Sequence, residues 1–307
     1  MLHWRIILGV LLVGLLASLA VLDFGAARPG LIMSPLAIVG AFLAAGELVR
    51  MFEQDPALPA PSRYLVVPGS VITVVASCTP MMLTSGSLAE EIGRVGWVAV
   101  GLAASCSIVF SFEMLRYREP GSATARLALA VLGIAYAGGL MGFVVQLRLL
   151  AGGPWGDDGR WGMVALLSMI AVVKSSDVGA YVFGRLFGRT KLAPVLSPGK
   201  TWEGLAGGAL VAVGVTALML GPAAARMTGS WPQGPTPWWL GCVLYAVLVT
   251  AAGVAGDLAV SLLKRDAGLK NSSSWMPGFG GVLDVLDSIL FAAPLAYLLW
   301  LVRLVGP

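Results

Sequence analysis

The sequence predicts an all-α, polytopic integral membrane protein with about nine transmembrane helices. Hydrophobic residues make up 58% of the chain and mean hydropathy is +0.87, both far above the values of soluble domains. Apolar stretches of about 20 residues recur along the whole chain, and each could cross a ~30 Å hydrocarbon core as a helix. Since no polar segment between them could form a soluble domain, residues 1–307 are expected to form a single transmembrane domain.

The expected spans are 4–23, 31–52, 64–84, 94–113, 124–148, 161–187, 202–224, 236–263 and 279–304. The first resembles a signal peptide, with Arg5 before the apolar run and small residues at 17–20 after it. The run continues through Val21 and Leu22, which is long for a signal peptide, so an uncleaved helix is expected.

The distribution of positive charge predicts the orientation. With nine spans, thirteen Lys and Arg residues lie on the side of the N-terminus and six on the other, with Lys174 inside a span. The positive-inside rule therefore places the N-terminus and the loops around 188–201 and 264–278 in the cytoplasm. The basic residues are scattered without interleaved aromatic residues, which argues against nucleic-acid binding.

The uneven distribution of charge along the chain predicts that its two halves have different roles. The first four or five spans are expected to carry almost no buried charge, apart from Glu47, and residues 1–150 are expected to be a helical scaffold. Residues 160–307 carry several charges at membrane depth, where a charge must face protein, water or a partner. This half is expected to hold the chemistry.

The sixth span carries a polar stripe. Lys174, Asp177, Tyr181 and Arg185 are spaced so that they share one helix face. They predict one wall of a polar cavity, and a purely structural Lys–Asp pair is the alternative. Gly179 and Gly184 would also allow a close helix approach.

The segment before the seventh span, residues 197–204, predicts an anion site. Ser197, Lys200 and Thr201 bring hydroxyls and an ammonium group to a helix N-terminus, where free N–H groups favour anions. The alternative is a capping turn, with Ser197 or Thr201 as the cap and Glu203 in the first turn.

The eighth and ninth spans carry the strongest signal. Asp257, Ser261 and Lys264 share one face of the eighth span, and Asp284 and Asp287 share one face at the start of the ninth. Paired carboxylates either share a proton or hold a cation, and the nearby cations Lys264, Arg265 and Lys270 favour a phosphate with a metal ion. Lys200 and Lys264 are expected in cytoplasmic loops, where truncation would leave no cavity.

These motifs together resemble those of the CDP-diacylglycerol synthases, or phosphatidate cytidylyltransferases. The match covers about 170–290 in detail. It comprises Asp177–Arg185, Ser197–Gly204 and a long signature with Ser261, Lys264, Arg265, Lys270, Pro277, Gly278, Gly280, Gly281, Asp284 and Asp287. Three positions depart from the family pattern: Asn271 replaces Asp, Phe279 replaces His, and Val285 replaces Arg.

The resemblance implies that the phosphate of phosphatidic acid attacks CTP to give CDP-diacylglycerol and pyrophosphate. It implies a Mg²⁺ ion on Asp257 and Asp284 and leaves a second cation open. Catalytic roles would fall to Lys264, Arg265, Lys270 and Asp287. Substrate would be bound by residues from all three motifs: Asp177, Tyr181, Arg185, Ser197, Lys200, Thr201, Ser261, Gly280 and Gly281.

The implied setting is the bacterial-type plasma (inner) membrane, surrounded by membrane lipids, with the active site facing the cytoplasm. Whether two copies form a homodimer is left open. The alternatives are a CTP-dependent transferase or kinase for another lipid (an ether lipid phosphate, polyprenol or phytol) and a membrane transporter. Confinement of charge to the second half argues against a transporter built from inverted repeats.

Overall fold

The computed structural model describes the chain except residues 1, 57, 83–87, 274 and 277–279, and describes only the backbone of 2–6 and 88–91. Pro277, Gly278 and Phe279 of the signature therefore lie outside the described residues. The described part contains nine helices long and apolar enough to cross a membrane, which confirms the predicted fold class.

The helices are labelled α1–α9 in chain order. They are α1 Leu2–Phe24, α2 Met33–Gln54, α3 Arg63–Met81, α4 Leu88–Arg116, α5 Ala123–Arg148, α6 Arg160–Phe187, α7 Trp202–Thr228, α8 Trp238–Asp266 and α9 Val282–Leu301. Four of them are irregular: α3 ends in a 3₁₀ turn, α4 is kinked at Gly93, and α5 and α7 contain π-helical turns at Ala135–Gly139 and Met219–Ala223. The π turn of α7 contains Pro222, which has no N–H to donate to the regular ladder.

A short antiparallel hairpin precedes α7, in a segment that the sequence predicts as a loop. Strand β1, Lys191–Ala193, pairs with β2, Ser197–Thr201. The Glu203 carboxylate accepts hydrogen bonds from the backbone N–H groups of Arg189 and Thr190, so the first turn of α7 holds the start of the hairpin. This hairpin fixes the position of Lys200 at the end of β2.

The chain divides into two compact units. The first comprises Met1–Gln146 and Leu263–Leu286, and the second comprises Leu147–Leu262 and Asp287–Pro307. The predicted division into a scaffold half and a catalytic half stays a prediction. The expectation that the first spans bury almost no charge besides Glu47 is wrong, because Asp23, Glu113 and Arg148 are also buried.

Within the first unit, α3 packs against α2, α4 and α5 through small and polar residues. Ser105 of α4 donates to the Gly69 carbonyl of α3, and Gln146 of α5 donates to the Ser77 carbonyl. A partly buried ion pair joins Arg126 of α5 to Glu113 of α4 at 2.8 Å. These contacts satisfy polar groups that lipid could not solvate.

Within the second unit, α6 and α7 approach each other closely. A Cβ atom on Gly208 would lie 2.6 Å from the Ser176 carbonyl oxygen, and one on Gly179 would lie 3.0 Å from the Gly208 Cα. The glycines of α6 and α7 thus permit the close packing expected from small residues in membrane helices. As a result, Asp177 on α6 is held at a fixed place beside the start of α7.

Candidate active site

The second unit contains a cluster of five charged side chains from four elements. Lys174 and Asp177 come from α6, Lys200 from β2, Asp257 from α8 and Asp287 from α9. Asp177 interacts electrostatically with Asp257 and Lys200, and Asp287 interacts with Asp257 and Lys174. We call these five residues the acidic cluster, because three carboxylates and two ammonium groups leave one formal negative charge.

Two ion pairs organise the acidic cluster. Lys200 Nζ lies 2.6 Å from Asp257 Oδ2, and Lys174 Nζ lies 3.7 Å from Asp177 Oδ2. The Asp257 side chain is 33% exposed and that of Asp177 is 44% exposed, so a ligand could reach both carboxylates. Ser261 Oγ lies 3.5 Å from Asp257 Oδ1, which is a weak contact.

Four of the five residues of the acidic cluster lie in membrane helices, and Lys200 lies in the hairpin before α7. Asp177 is ten positions before the end of α6 at Phe187, which corresponds to about 15 Å along the helix. Charges at such depth are costly unless partners or water compensate them, and they usually mark functional positions. Because the cluster is partly exposed and its charges are not balanced, it is suited to a charged ligand.

The other residues predicted on α6 and near α7 lie apart from these ion pairs. The Arg185 guanidinium donates to the Tyr181 hydroxyl at 3.1 Å, and both side chains are exposed. Ser197 is paired with Ala193 in the hairpin. Thr201 is the N-cap of α7, and its hydroxyl accepts from Gly204 N at 3.1 Å, as the capping alternative described. Their predicted contacts with substrate stay predictions.

The first unit holds a second polar group at the start of α9. Lys264 Nζ lies 2.8 Å from Asp284 Oδ1, and both side chains are only 11% exposed. Asp284 Oδ2 accepts from the backbone N–H and hydroxyl of Ser272 and from Gly281 N, at 2.9–3.1 Å. Both oxygens of Asp284 are therefore already used by donors.

Lys264 is not in an exposed loop as predicted. It lies in the last turn of α8, which continues to Asp266, and it is buried. Arg265 on the same turn is exposed, and its guanidinium donates to the Leu269 carbonyl at 3.1 Å. Lys270 and Asn271 are exposed in the following segment. The expectation that truncation of Lys264 leaves no cavity is thus wrong.

The two glycines of the signature that the structure describes are required by their neighbours. Gly280 has a φ of +90°, and its backbone pairs with Met276 in an antiparallel bridge. A Cβ atom on Gly281 would collide with the Glu47 carboxylate and the Ser272 hydroxyl. Their observed role is therefore to let buried carboxylates approach the backbone.

Glu47 of α2 is a site residue that the sequence alone did not assign. Its side chain is buried, and its carboxylate lies within hydrogen-bond distance of four donors, on Ser272, Trp275, Val282 and Leu283. The signal was present, because Glu47 is a carboxylate within a mostly apolar span, but its partners lie more than 220 positions away in the sequence.

A magnesium ion fits the acidic cluster better than it fits Asp284. Mg²⁺ usually binds one or two carboxylates together with water and substrate phosphates, and Asp257 offers partly exposed oxygens in a cluster with net negative charge. At Asp284, the donors on both oxygens would have to move. No group of three or more His, Cys, Asp or Glu residues in the described part of the chain could hold a metal by itself.

Sequence comparison identifies the family. The model of the cytidylyltransferase family matches residues 3–302, almost the entire chain. The chain belongs to the cytidylyltransferase family. This observation explains why the charged motifs of the second half occur together in one membrane protein.

Several curated members of the cytidylyltransferase family are similar to this chain. Phosphatidate cytidylyltransferase 5, chloroplastic, of Arabidopsis thaliana is 30% identical over 82% of this chain and 60% of its own length. The phosphatidate cytidylyltransferase of Synechocystis is 31% identical over 76% of this chain and 78% of its own. That of Haemophilus influenzae is 38% identical over 49% of each. The matched region thus spans about half to three quarters of these relatives.

Proposed function

We propose that this chain is a phosphatidate cytidylyltransferase, which converts CTP and phosphatidate to CDP-diacylglycerol and pyrophosphate. The observation that carries the proposal is the acidic cluster of Lys174, Asp177, Lys200, Asp257 and Asp287 at membrane depth. Four of its charged groups are partly exposed and joined in two ion pairs that a ligand could open, and Asp287 is buried beside them. The names of the similar proteins support the choice of lipid acceptor.

The reaction needs two anions to meet. A phosphate oxygen of phosphatidate forms a bond to the α-phosphorus of CTP, and the bond between the α-phosphorus and its bridging oxygen to the β-phosphate breaks. The electron pair leaves with pyrophosphate. Since the nucleophile is already an anion, no strong general base is required, and catalysis depends on positioning and on neutralising charge.

The side chains of this protein would supply both the positioning of the substrates and the neutralisation of their charge. Lys200 can exchange its contact with Asp257 for a contact with a phosphate oxygen, because the pair is partly exposed. Asp257, with Asp177 or Asp287, would hold Mg²⁺, and the family pattern assigns Asp284 to metal binding as well. Such an ion, when bound, would neutralise charge on the phosphates. Arg265 and Lys270 are exposed cations that would attract the nucleotide.

The proposed setting is the plasma (inner) membrane with the acidic cluster reached from the cytoplasm. Its support is the excess of Lys and Arg on the predicted cytoplasmic side. Because most of the acidic cluster lies within the helices, a lipid phosphate could reach it while the acyl chains remain among the helices. A soluble nucleotide could reach it from the cytoplasm.

The test is turnover by the purified, detergent-solubilised chain with CTP and Mg²⁺. Pyrophosphate release should require phosphatidate, and mass spectrometry should detect CDP-diacylglycerol. Parallel reactions should contain dolichol-type polyprenol, phytol or an ether lipid phosphate in place of phosphatidate. Release of CDP with phosphorylation of an alcohol would instead identify a lipid kinase and would refute the proposal.

A further inference from the structure

The Glu47 carboxylate binds the segment between α8 and α9 on both of its oxygens. Oε1 accepts from the Trp275 indole N–H at 2.9 Å and from Val282 N at 3.0 Å. Oε2 accepts from Leu283 N at 2.9 Å and lies 2.8 Å from the Ser272 hydroxyl. Glu47 therefore caps the first turn of α9 from another helix, because Val282 and Leu283 carry N–H groups without intrahelical partners.

The same segment holds Asp284. The Ser272 hydroxyl lies between Glu47 Oε2 and Asp284 Oδ2, at 2.8 and 2.9 Å, and its single proton can serve one of them at a time. Ser272 N and Gly281 N also donate to Asp284, which in turn holds Lys264. Glu47 thus stands at one end of a continuous polar network, and Lys264 stands at the other.

A neutral side chain at position 47 would be sufficient if this residue only filled space between the helices. Glu47 is 3% exposed, and burial of a carboxylate is costly without donors. The four donors to its oxygens are uncharged, so the positive end of the α9 dipole and the N–H groups are what stabilise the charge. This arrangement holds Ser272 and Trp275 together with the first turn of α9.

We propose that Glu47 is a positioning residue for the reaction: it fixes Ser272, Trp275 and the first turn of α9, and thereby sets the orientation of Asp284 and Lys264. The proposal rests on the proposed cytidylyltransferase activity. If Glu47 has this role, the functional part of the chain includes α2, within the first 150 residues. Helix α2 then supports the signature residues at the start of α9.

The substitution Glu47→Gln tests the need for two acceptor oxygens. Whichever way the amide is turned, its NH₂ group faces at least one N–H donor, of Leu283 or of Trp275 and Val282. Two controls separate this effect from general damage. Asp23→Asn alters another buried carboxylate of the same unit, which accepts from Gly30, Ile32 and Met33 N, and Glu53→Gln makes the same change at an exposed position of α2.

The first readout is hydrogen–deuterium exchange, followed by mass spectrometry, in the purified full chain. Glu47→Gln should speed exchange in the peptide covering 280–283 about tenfold, the equivalent of one lost hydrogen bond. Exchange in the hairpin 191–201 should not change. Neither control should affect 280–283. Unchanged exchange in this peptide would overturn the proposal, whether or not the chain uses CTP.

The second readout is steady-state kinetics with CTP and phosphatidate. Glu47→Gln should lower kcat about 10- to 100-fold, as is typical for residues that orient reacting groups, with a smaller change in KM. Trp275→Phe removes one donor at a half-exposed side chain and should lower kcat less. If activity fell only in proportion to thermal stability, as in Asp23→Asn, or if exchange rose while kcat stayed normal, Glu47 would have only a structural role.

An inactive wild-type chain would refute the proposed function, but it would not refute the role of Glu47 in holding the start of α9. In that case the exchange measurement still decides whether Glu47 fixes the first turn of α9.

Discussion

At the scale of the residue, two lysine–aspartate pairs with similar distances have different surroundings. Lys200 and Asp257 are 22% and 33% exposed, whereas Lys264 and Asp284 are both 11% exposed. A partly exposed pair contributes little stability, about 0–1 kcal/mol, and can exchange partners easily. A buried pair is costly to break because the remaining charge is uncompensated. The first pair is therefore easier for a ligand to open than the second.

Lys200→Ala and Lys264→Ala should consequently differ. Lys200→Ala should lower kcat/KM for CTP about 100-fold, the loss typical for a donor that stabilises developing charge, and leave thermal stability nearly unchanged. Lys264→Ala should lower the melting temperature as well, since it leaves Asp284 without its cation. The matched control is Lys191→Ala, at an exposed position of the same hairpin. Normal CTP kinetics in Lys200→Ala would show that this lysine does not bind phosphate.

At the scale of the element, the contact between α6 and α7 determines where the acidic cluster forms. Glycines let the two helices approach, the N-cap Thr201 starts α7, and Glu203 holds the hairpin that carries Lys200. Each is a local feature with a separate cause. Their combined effect is to bring Asp177 and Lys200 into electrostatic range.

Gly208→Ala should weaken this contact. The added methyl group would meet the Ser176 carbonyl at 2.6 Å, and such overpacking costs about 1–3 kcal/mol. Gly214→Ala on the same helix is the control, because a Cβ atom there has no neighbour within 4 Å. Thermal unfolding in detergent should show a lower midpoint for Gly208→Ala alone. Equal midpoints for both variants would contradict the close packing.

At the scale of the whole molecule, hydropathy was sufficient to predict the nine helices, because a membrane span is a local property of about 20 residues. Helix ends were less predictable: α8 continues through Lys264, which the charge pattern had assigned to a loop. The hairpin was missed because strands of three and five residues give no alternating pattern. The role of Glu47 required contacts between distant residues, which one sequence does not contain.

The predicted orientation can be tested on the intact chain. Reporter fusions after residue 200 and at the C-terminus should report opposite sides of the membrane, with position 200 in the cytoplasm, since charge counts favour that side. A fusion in the exposed segment after Pro120, also predicted in the cytoplasm, is the control. Reporters on the same side at position 200 and at the C-terminus would contradict the nine-span arrangement.

The central claim is that the acidic cluster performs nucleotidyl transfer, and the Asp257→Asn variant tests it most directly. Removal of this charge should abolish pyrophosphate release from CTP and phosphatidate at every Mg²⁺ concentration, while the melting temperature stays close to that of the wild type because Asp257 is partly exposed. Asp158→Asn, at an exposed aspartate outside the cluster, should retain full activity. A well-folded Asp257→Asn variant with near-normal turnover and an unchanged Mg²⁺ requirement would contradict the account.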